Sequence, residues 1–445
     1  MPDETFQPEE EDRSNPRKIP PSPPGSMRAQ IRAPLSFFLT LTRTYGDIVC
    51  YRAAPEPAYL VNHPDYVRRV LVDNNRNYSK ETYINQMFKT AVGNGLLTSE
   101  GEVWRKQRRL MQPAFHHQRL EKLDGLITGA AGAMLERWGA AAEAGQAIDI
   151  AREMASLTLT ITTKALFGID LGEDVNSVGA AVNMGADLLE RPKNPRFRKA
   201  LQSVKDVVER IISERRLAHE DTGDLLSMLL QVRDEETGLG MDDQQLRDQV
   251  ITLLLAGYET TASALTWTWY LLSQHPESAE RMQAESRRVL AGRSPANADL
   301  PNLPYARMVF EESMRLFPPA WILGRKALSD DQISGYHVAA GTIVAISPYT
   351  LHRHPGFWER PDAFDPGRFS PERSEGRHRY AYIPFGAGPR QCIGNTFGML
   401  EAQLILPTVV GRFNLRLAPG IEINPQPVFI LRPNRDMLMI PEALS

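Results

Sequence analysis

Apolar and polar positions divide this chain into a long helical middle with strand-rich segments at its two ends. Residues 47–52 and 58–61 alternate as two short strands facing each other across the Pro55-Glu56-Pro57 turn. From about Pro64 to Phe317 the apolar spacing is helical, with breaks near Gly145, residues 168–173, 191–195 and 235–240. The longest uninterrupted stretch, 243–274, predicts a helix ~45 Å long at 1.5 Å per residue. Asp242 and Gln245 are spaced as a capping pair at its start. A strand-rich piece follows at 322–346, then an irregular run rich in Pro, Arg and Phe at 352–382. Residues 395–411 read as a helix, and 414–417 with 428–431 as a closing hairpin. Helices gathered apart from strands, with no internal repeat, predict an α+β chain, mainly α: a large helical domain with a smaller β-rich region. No Gly-x-Gly-x-x-Gly run opens a helix after a strand, so no flavin or nicotinamide domain is expected.

Composition sharpens this picture in three ways. The 445 residues are 42% hydrophobic, enough for a sizeable core, and the net charge of −3 implies no general attraction to nucleic acid. Two cysteines, Cys50 and Cys392, exclude a disulfide scaffold and fit a reducing compartment. Residues 1–12 hold six acids and no base, and a Pro-rich lead-in follows. We therefore expect a disordered tail over 1–25 and a single domain over 26–445. No run approaches the ~20 apolar residues that span a bilayer, so a cytoplasmic protein without stable membrane insertion is expected.

Four constellations carry candidate chemistry. The first is Phe385-Gly386-Ala387-Gly388-Pro389-Arg390-Gln391-Cys392-Ile393-Gly394. Glycines here permit close backbone approach to a flat ligand. Arg390 offers charge and several donors, and Phe385 can shield the sulfur. Backbone N–H groups after Cys392 open a helix and can hydrogen-bond the sulfur. A thiolate so presented can ligate haem iron, a ligation that favours O–O cleavage. The alternative is a free buried cysteine; ten residues meeting one pattern argue against it.

The second is Ala256-Gly257-Tyr258-Glu259-Thr260-Thr261, inside the long helix. Gly257 costs ~1 kcal/mol mid-helix relative to Ala, and a helix loosened there often carries function. Small residues leave room for a diatomic molecule, Thr260 could bond it, and Glu259 could relay protons. The alternative is a threonine bonded back to the i−4 carbonyl beside a solvated glutamate. The third pairs Glu312 with Arg315 on one helical face, by itself a modest surface feature. The fourth sets Trp104 and Arg108 four residues apart, an aromatic donor and a cation suited to a haem propionate. Beside them Arg105, Lys106 and Arg109 read equally as a solvated face or as a docking patch for an acidic electron donor.

These four motifs, in this order, resemble the cytochrome P-450 family over nearly the whole chain, and its soluble bacterial-type members in particular. The resemblance implies haem b, with Cys392 as the axial iron ligand and Trp104, Arg108, Arg325 and Arg390 toward its propionates. Phe385, Gly394, Ala256 and Gly257 are its further haem contacts, and Thr260 with Glu259 its oxygen-activation pair. It implies that Glu312, Arg315 and Arg368 (from Pro366-Gly367-Arg368-Phe369) are buried together and lock the loop presenting Cys392. Leu97, Leu253, Ala256, Ala320, Ile322, Leu323 and Phe429 correspond to distal-pocket positions; all are apolar, and ordinary core packing is their alternative. If they line a cavity, the ligand is lipophilic and held by shape, with Trp321 narrowing the space. A terpenoid, fatty acid, steroid or polyketide would fit.

The activity implied is a monomeric monooxygenase that inserts one atom of O2 by hydroxylation or epoxidation. Electrons would come from a ferredoxin or flavodoxin and an NAD(P)H-dependent reductase, since no fused reductase is seen. A peroxide-driven haem hydroxylase and a non-catalytic haem gas sensor or electron carrier are the rivals.

Overall fold

A computed structural model describes residues 19–22, 30, 32–52, 57–168, 194–218, 224–233, 238 and 240–444. Most of the expected tail, and the breaks expected at 169–173, 191–193 and 235–237, lie outside these residues, as does most of the 55–57 turn.

Helix α1 (Pro34–Tyr45) leads into β1 (Ile48–Arg52) and β2 (Pro57–Val61), paired antiparallel with Cys50 opposite Tyr59. The short β3 (Tyr78–Ser79) precedes α2 (Tyr83–Val92) and α3 (Gly101–Met111). Next come α4 (Asp124–Glu143), β4 (Ile148–Asp149), α5 (Ile150–Phe167), α6 (Pro195–Ala218) and α7 (Leu225–Gln231). The long helix is α8 (Asp243–Gln274), followed by α9 (Pro276–Leu290) and α10 (Pro304–Leu316). Strands β5 (Leu323–Ala327), β6 (Asp331–Ile333), β7 (Tyr336–Val338) and β8 (Ile343–Ile346) fill the expected strand-rich piece. Helix α11 (Asn395–Val410) follows, then β9 (Phe413–Leu417), β10 (Pro425–Pro427), β11 (Leu431–Pro433) and β12 (Leu438–Ala443).

The largest sheet has the order β1-β2-β8-β5-β3, parallel only between β2 and β8. The C-terminal segment departs from the expected hairpin. β9 pairs with β12, and β10 pairs with β11, so Val428, Phe429 and Ile430 form the turn of a hairpin and only Leu431 of that run lies in a strand. The continuous apolar run at 428–431 reflects a turn that tucks inward.

Helix α8 runs through the core and packs on α5. Asp242 caps it by accepting from the Gln245 backbone N–H at 2.8 Å. The helix is continuous through Gly257, contrary to the loosening expected there. A Cβ at 257 would come within 3.0 Å of Thr162 Cγ2, and Thr158 Oγ1 donates to the Tyr258 carbonyl at 3.0 Å. Glycine serves here to let two helices approach.

Glu312, Arg315 and Arg368 are buried together, Glu312 and Arg315 without exposed surface. Arg315 grips Glu312 with two bonds of 2.6 and 2.8 Å, and Arg368 Nε adds a third at 3.3 Å. Spare donors of Arg315 reach the carbonyls of His352, Pro361 and Ala363, and the Asp365 N–H binds Glu312. His352 then accepts from the Ile383 N–H at 2.9 Å, two residues before the cysteine loop. Burial and the nearby Arg315 and Arg353 charges push His352 down to about 3, leaving the neutral ring that can accept this bond. One carboxylate thus organises the irregular 352–369 run, whose backbone has no ladder of its own. Replacing Glu312 with alanine strands two buried cations and should cost ~3–5 kcal/mol, read as a shift in the denaturant midpoint; a loss below ~1 kcal/mol would contradict this role.

Candidate haem-thiolate site

The loop that carries Cys392 is shaped by two left-handed glycines, Gly386 and Gly388, both at φ +69°. At 388 a Cβ would fall 1.9 Å from the Leu71 carbonyl oxygen, so only glycine fits. The Cys392 N–H returns to the Phe385 carbonyl at 2.9 Å, which closes the loop below the thiol. Cys392 has accessible surface although protein surrounds it. Burial pushes its pKa up, while the Gly394 N–H and the Arg108 charge pull it back toward the thiolate. Ala256, mid-way along the core helix α8, is likewise exposed. Gly398 of α11 packs between Thr261 of α8 and Phe385 of the loop, which brings the two motifs to one place.

Beside this space lies a concentration of positive charge. Arg390 pairs with Glu100 at 2.8 Å, donates to the Ser99 carbonyl at 2.9 Å, and stacks 3.9 Å over the Trp104 ring. Arg108 donates to the Gln391 carbonyl at 2.9 Å. Arg325 is buried on β5. Lys80 donates to the Leu97 carbonyl. Burial, reinforced by neighbouring cations and opposed by Glu100, brings Lys80 down to about 7 and Arg325 to about 10. Burial, with Arg108 adding to it, brings Arg390 to about 10 against the pull of Glu100.

Lys80, Arg325 and Arg390 thus share one acid, Glu100, while Arg108 stands beside Arg390 and Cys392. Two added carboxylates, such as the paired propionates of haem, would offset most of this surplus. A charge-deficient donor set beside an accessible thiol and a small-residue helix face fits haem. Lys80 and Glu100 were not legible in the sequence: a lone lysine after a two-residue strand and a glutamate before a helix carry no pattern.

Both members of the expected oxygen-activation pair are held by protein partners. Thr260 Oγ1 donates to the Ala256 carbonyl at 2.9 Å, the back-bonded arrangement. Glu259 is not solvated; it is 5% exposed and ion-paired with Arg432 of β11. Gly257, expected at the cofactor, faces Thr162. A further acid, Glu401 on α11, is fully buried. Burial raises its pKa well above the carboxylate range, with the Thr261 side chain working against the shift. Its signal in the sequence was an acid inside the all-round apolar helix Asn395–Val410.

The expected wall residues scatter over converging elements. Leu97, Ala320, Ile322 and Leu323 are half-buried and Leu253 is buried. Phe429, in the hairpin turn, packs on Phe88 of α2 with ring centroids 4.1 Å apart. Trp321 lies in the core against Phe38, and its indole donates to the Val428 carbonyl at 2.8 Å. It braces the hairpin.

A pH dependence follows from Lys80. Its folded pKa is depressed to about 7 from an ordinary 10.5. Between these values the unfolded chain binds the extra proton, so stability of the haem-free protein should rise with pH across this window. Lys80→Met should flatten that rise, measured as Tm against pH; an unchanged slope would contradict the assignment.

The Cytochrome P450 family model matches residues 27–440. Cyclooctatin synthase of Streptomyces melanosporofaciens is 41% identical over 92% of this chain and 92% of its own. Cyclooctat-9-en-7-ol 5-monooxygenase of the same organism is 36% identical, covering 89% and 88%. Pentalenene oxygenase of Streptomyces avermitilis is 34% identical, covering 89% and 90%. Among solved structures, a cytochrome P450DA heme domain superposes with a TM-score of 0.89 at 26% identity, over 96% of this chain and 99% of that one. With the thiol loop and its cation cluster, these matches place the chain in the cytochrome P450 family, among its monooxygenases.

Proposed function

We propose that this protein oxidises a cyclic terpenoid, inserting one atom of O2 into a hydrocarbon skeleton by hydroxylation or epoxidation. What supports the reading is that Leu97, Leu253, Ala320, Ile322, Leu323 and Phe429, the positions expected to line the pocket, are all apolar, so that a wall made of them would select by shape. The relatives named for cyclooctatin, cyclooctat-9-en-7-ol and pentalenene favour a compact carbocycle over a steroid or polyketide.

Haem b, when bound, supplies the activation of dioxygen. Cys392 would hold it through sulfur, with the Gly394 N–H and Arg108 stabilising the thiolate. Lys80, Arg108, Arg325 and Arg390 would take its propionates, with Trp104 as the platform that aims Arg390. Glu259 and Thr260 would manage the protons, and the apolar wall would keep other water out. Electrons would come from a ferredoxin or flavodoxin reduced by an NAD(P)H-dependent enzyme, docking near Arg105, Lys106 and Arg109. A concavity of about 500 Å3 lined by Phe385, Gln391, Thr396 and Met399 opens on the loop itself and gives such a donor close approach to it. A cytoplasmic monomer fits these features.

Titrating the ferric protein with cyclic diterpene and sesquiterpene hydrocarbons, fatty acids and steroids, and reading the iron spin state, tests the substrate class. Cyclic terpenes should give the largest spin-state shift, and turnover should need a reductase system. A response confined to fatty acids, or equal turnover with peroxide alone, would overturn the reading.

A further inference from the structure

The hairpin β10–β11 is fastened to one stripe of α8. Glu259, Ser263 and Trp267 recur at i, i+4 and i+8, so they share a helix face. Ser263 Oγ and Trp267 Nε1 both donate to the Leu431 carbonyl, at 2.6 and 2.9 Å. Glu259 meets the next residue, Arg432. From the other side, the Leu431 N–H donates to the Pro319 carbonyl at 3.0 Å and the Trp321 indole holds Val428. The turn between these anchors presents Phe429 to Phe88 of α2. A short hairpin thus connects a wall residue of the proposed ligand pocket to the acid of the proposed proton relay.

The energetics make that connection directional. A carboxylate buried to 5% exposure is costly unless a cation stays beside it. Arg432 supplies that cation from β11 with its side chain 20% exposed, and its backbone belongs to the hairpin rather than to the helix. The two hydrogen bonds to the Leu431 carbonyl fix the backbone but cannot neutralise Glu259. Any ligand that moves Phe429 acts, three residues along the same hairpin, on the partner of Glu259. By reciprocity, breaking the ion pair must alter ligand affinity by the same coupling.

We propose that Arg432 is a positioning residue for Glu259, and that the 425–433 hairpin couples occupancy of the lipophilic pocket to that acid. This rests on the monooxygenase site described above and adds to it a link between two of its parts.

The test uses the full-length holoprotein and the variants Arg432→Gln, Glu259→Gln, their combination and Arg432→Lys. Two readouts are taken: hydrogen exchange of amides 428–432, and affinity for dodecylimidazole, whose ring shifts the haem spectrum while its alkyl chain enters the pocket. Each single neutralisation should speed exchange about tenfold and weaken dodecylimidazole to a matching degree, with the double variant no worse than either. Arg432→Lys should restore both readouts, which a purely space-filling arginine would not predict. Glu259→Asp is the milder variant and should move both readouts in the same direction. Wild-type exchange and affinity in Arg432→Gln, or additive effects in the double variant, would overturn the proposal. The reduced carbonyl spectrum of the same samples reports on the haem-thiolate reading separately: a thiolate-type spectrum with unaltered dodecylimidazole affinity sinks only the Arg432 link.

Discussion

Glu312 is the point on which the irregular half of this molecule turns. Its carboxylate is out of water and is satisfied by two arginines and the Asp365 N–H. The arginines spend their remaining donors on the carbonyls of a segment with no α-helix or strand. Without that network the 352–369 run would have orphaned polar groups and no reason to stay put. Through His352 and Ile383 the same order passes into the loop below Cys392. The position of a sulfur atom is therefore set by a charge cluster in another part of the chain.

A second constraint is electrostatic. Lys80, Arg108, Arg325 and Arg390 crowd beside the thiol loop, and Glu100 is the counter-charge shared by Lys80, Arg325 and Arg390. Like charges held together out of water oppose folding. The arrangement makes sense as preorganisation for a dianionic ligand, in the way a binding site accepts local strain for affinity. The site and the fold stabilise each other through whatever fills it.

The chemistry-bearing motifs were legible because each compresses its information into adjacent residues. The cysteine run, the Glu312–Arg315 spacing and the bounds of the 243–274 helix all appear in the structure where the residues placed them. What stayed illegible depends on partners far apart in the chain. Nothing near Glu259 announces Arg432, 173 residues away, so the residues offered a proton relay, with a solvated acid as its alternative, and no ion-pair partner. Gly257 looked like a weak point in a helix because Thr162 of another helix is its reason. The run 428–431 is as apolar as a buried strand, yet most of it forms a turn fastened to α8. Local periodicity reports burial, and burial alone does not say which element is being built.

The account stands or falls with the bond between Cys392 and iron. The most direct measurement is the absorption spectrum of the reduced carbonyl adduct of the wild-type protein beside Cys392→His. The account predicts the long-wavelength Soret band of a thiolate adduct in the wild type and its replacement by the shorter-wavelength band of an imidazole adduct in the variant. A wild-type band already at the imidazole position, or a band untouched by the substitution, would contradict it.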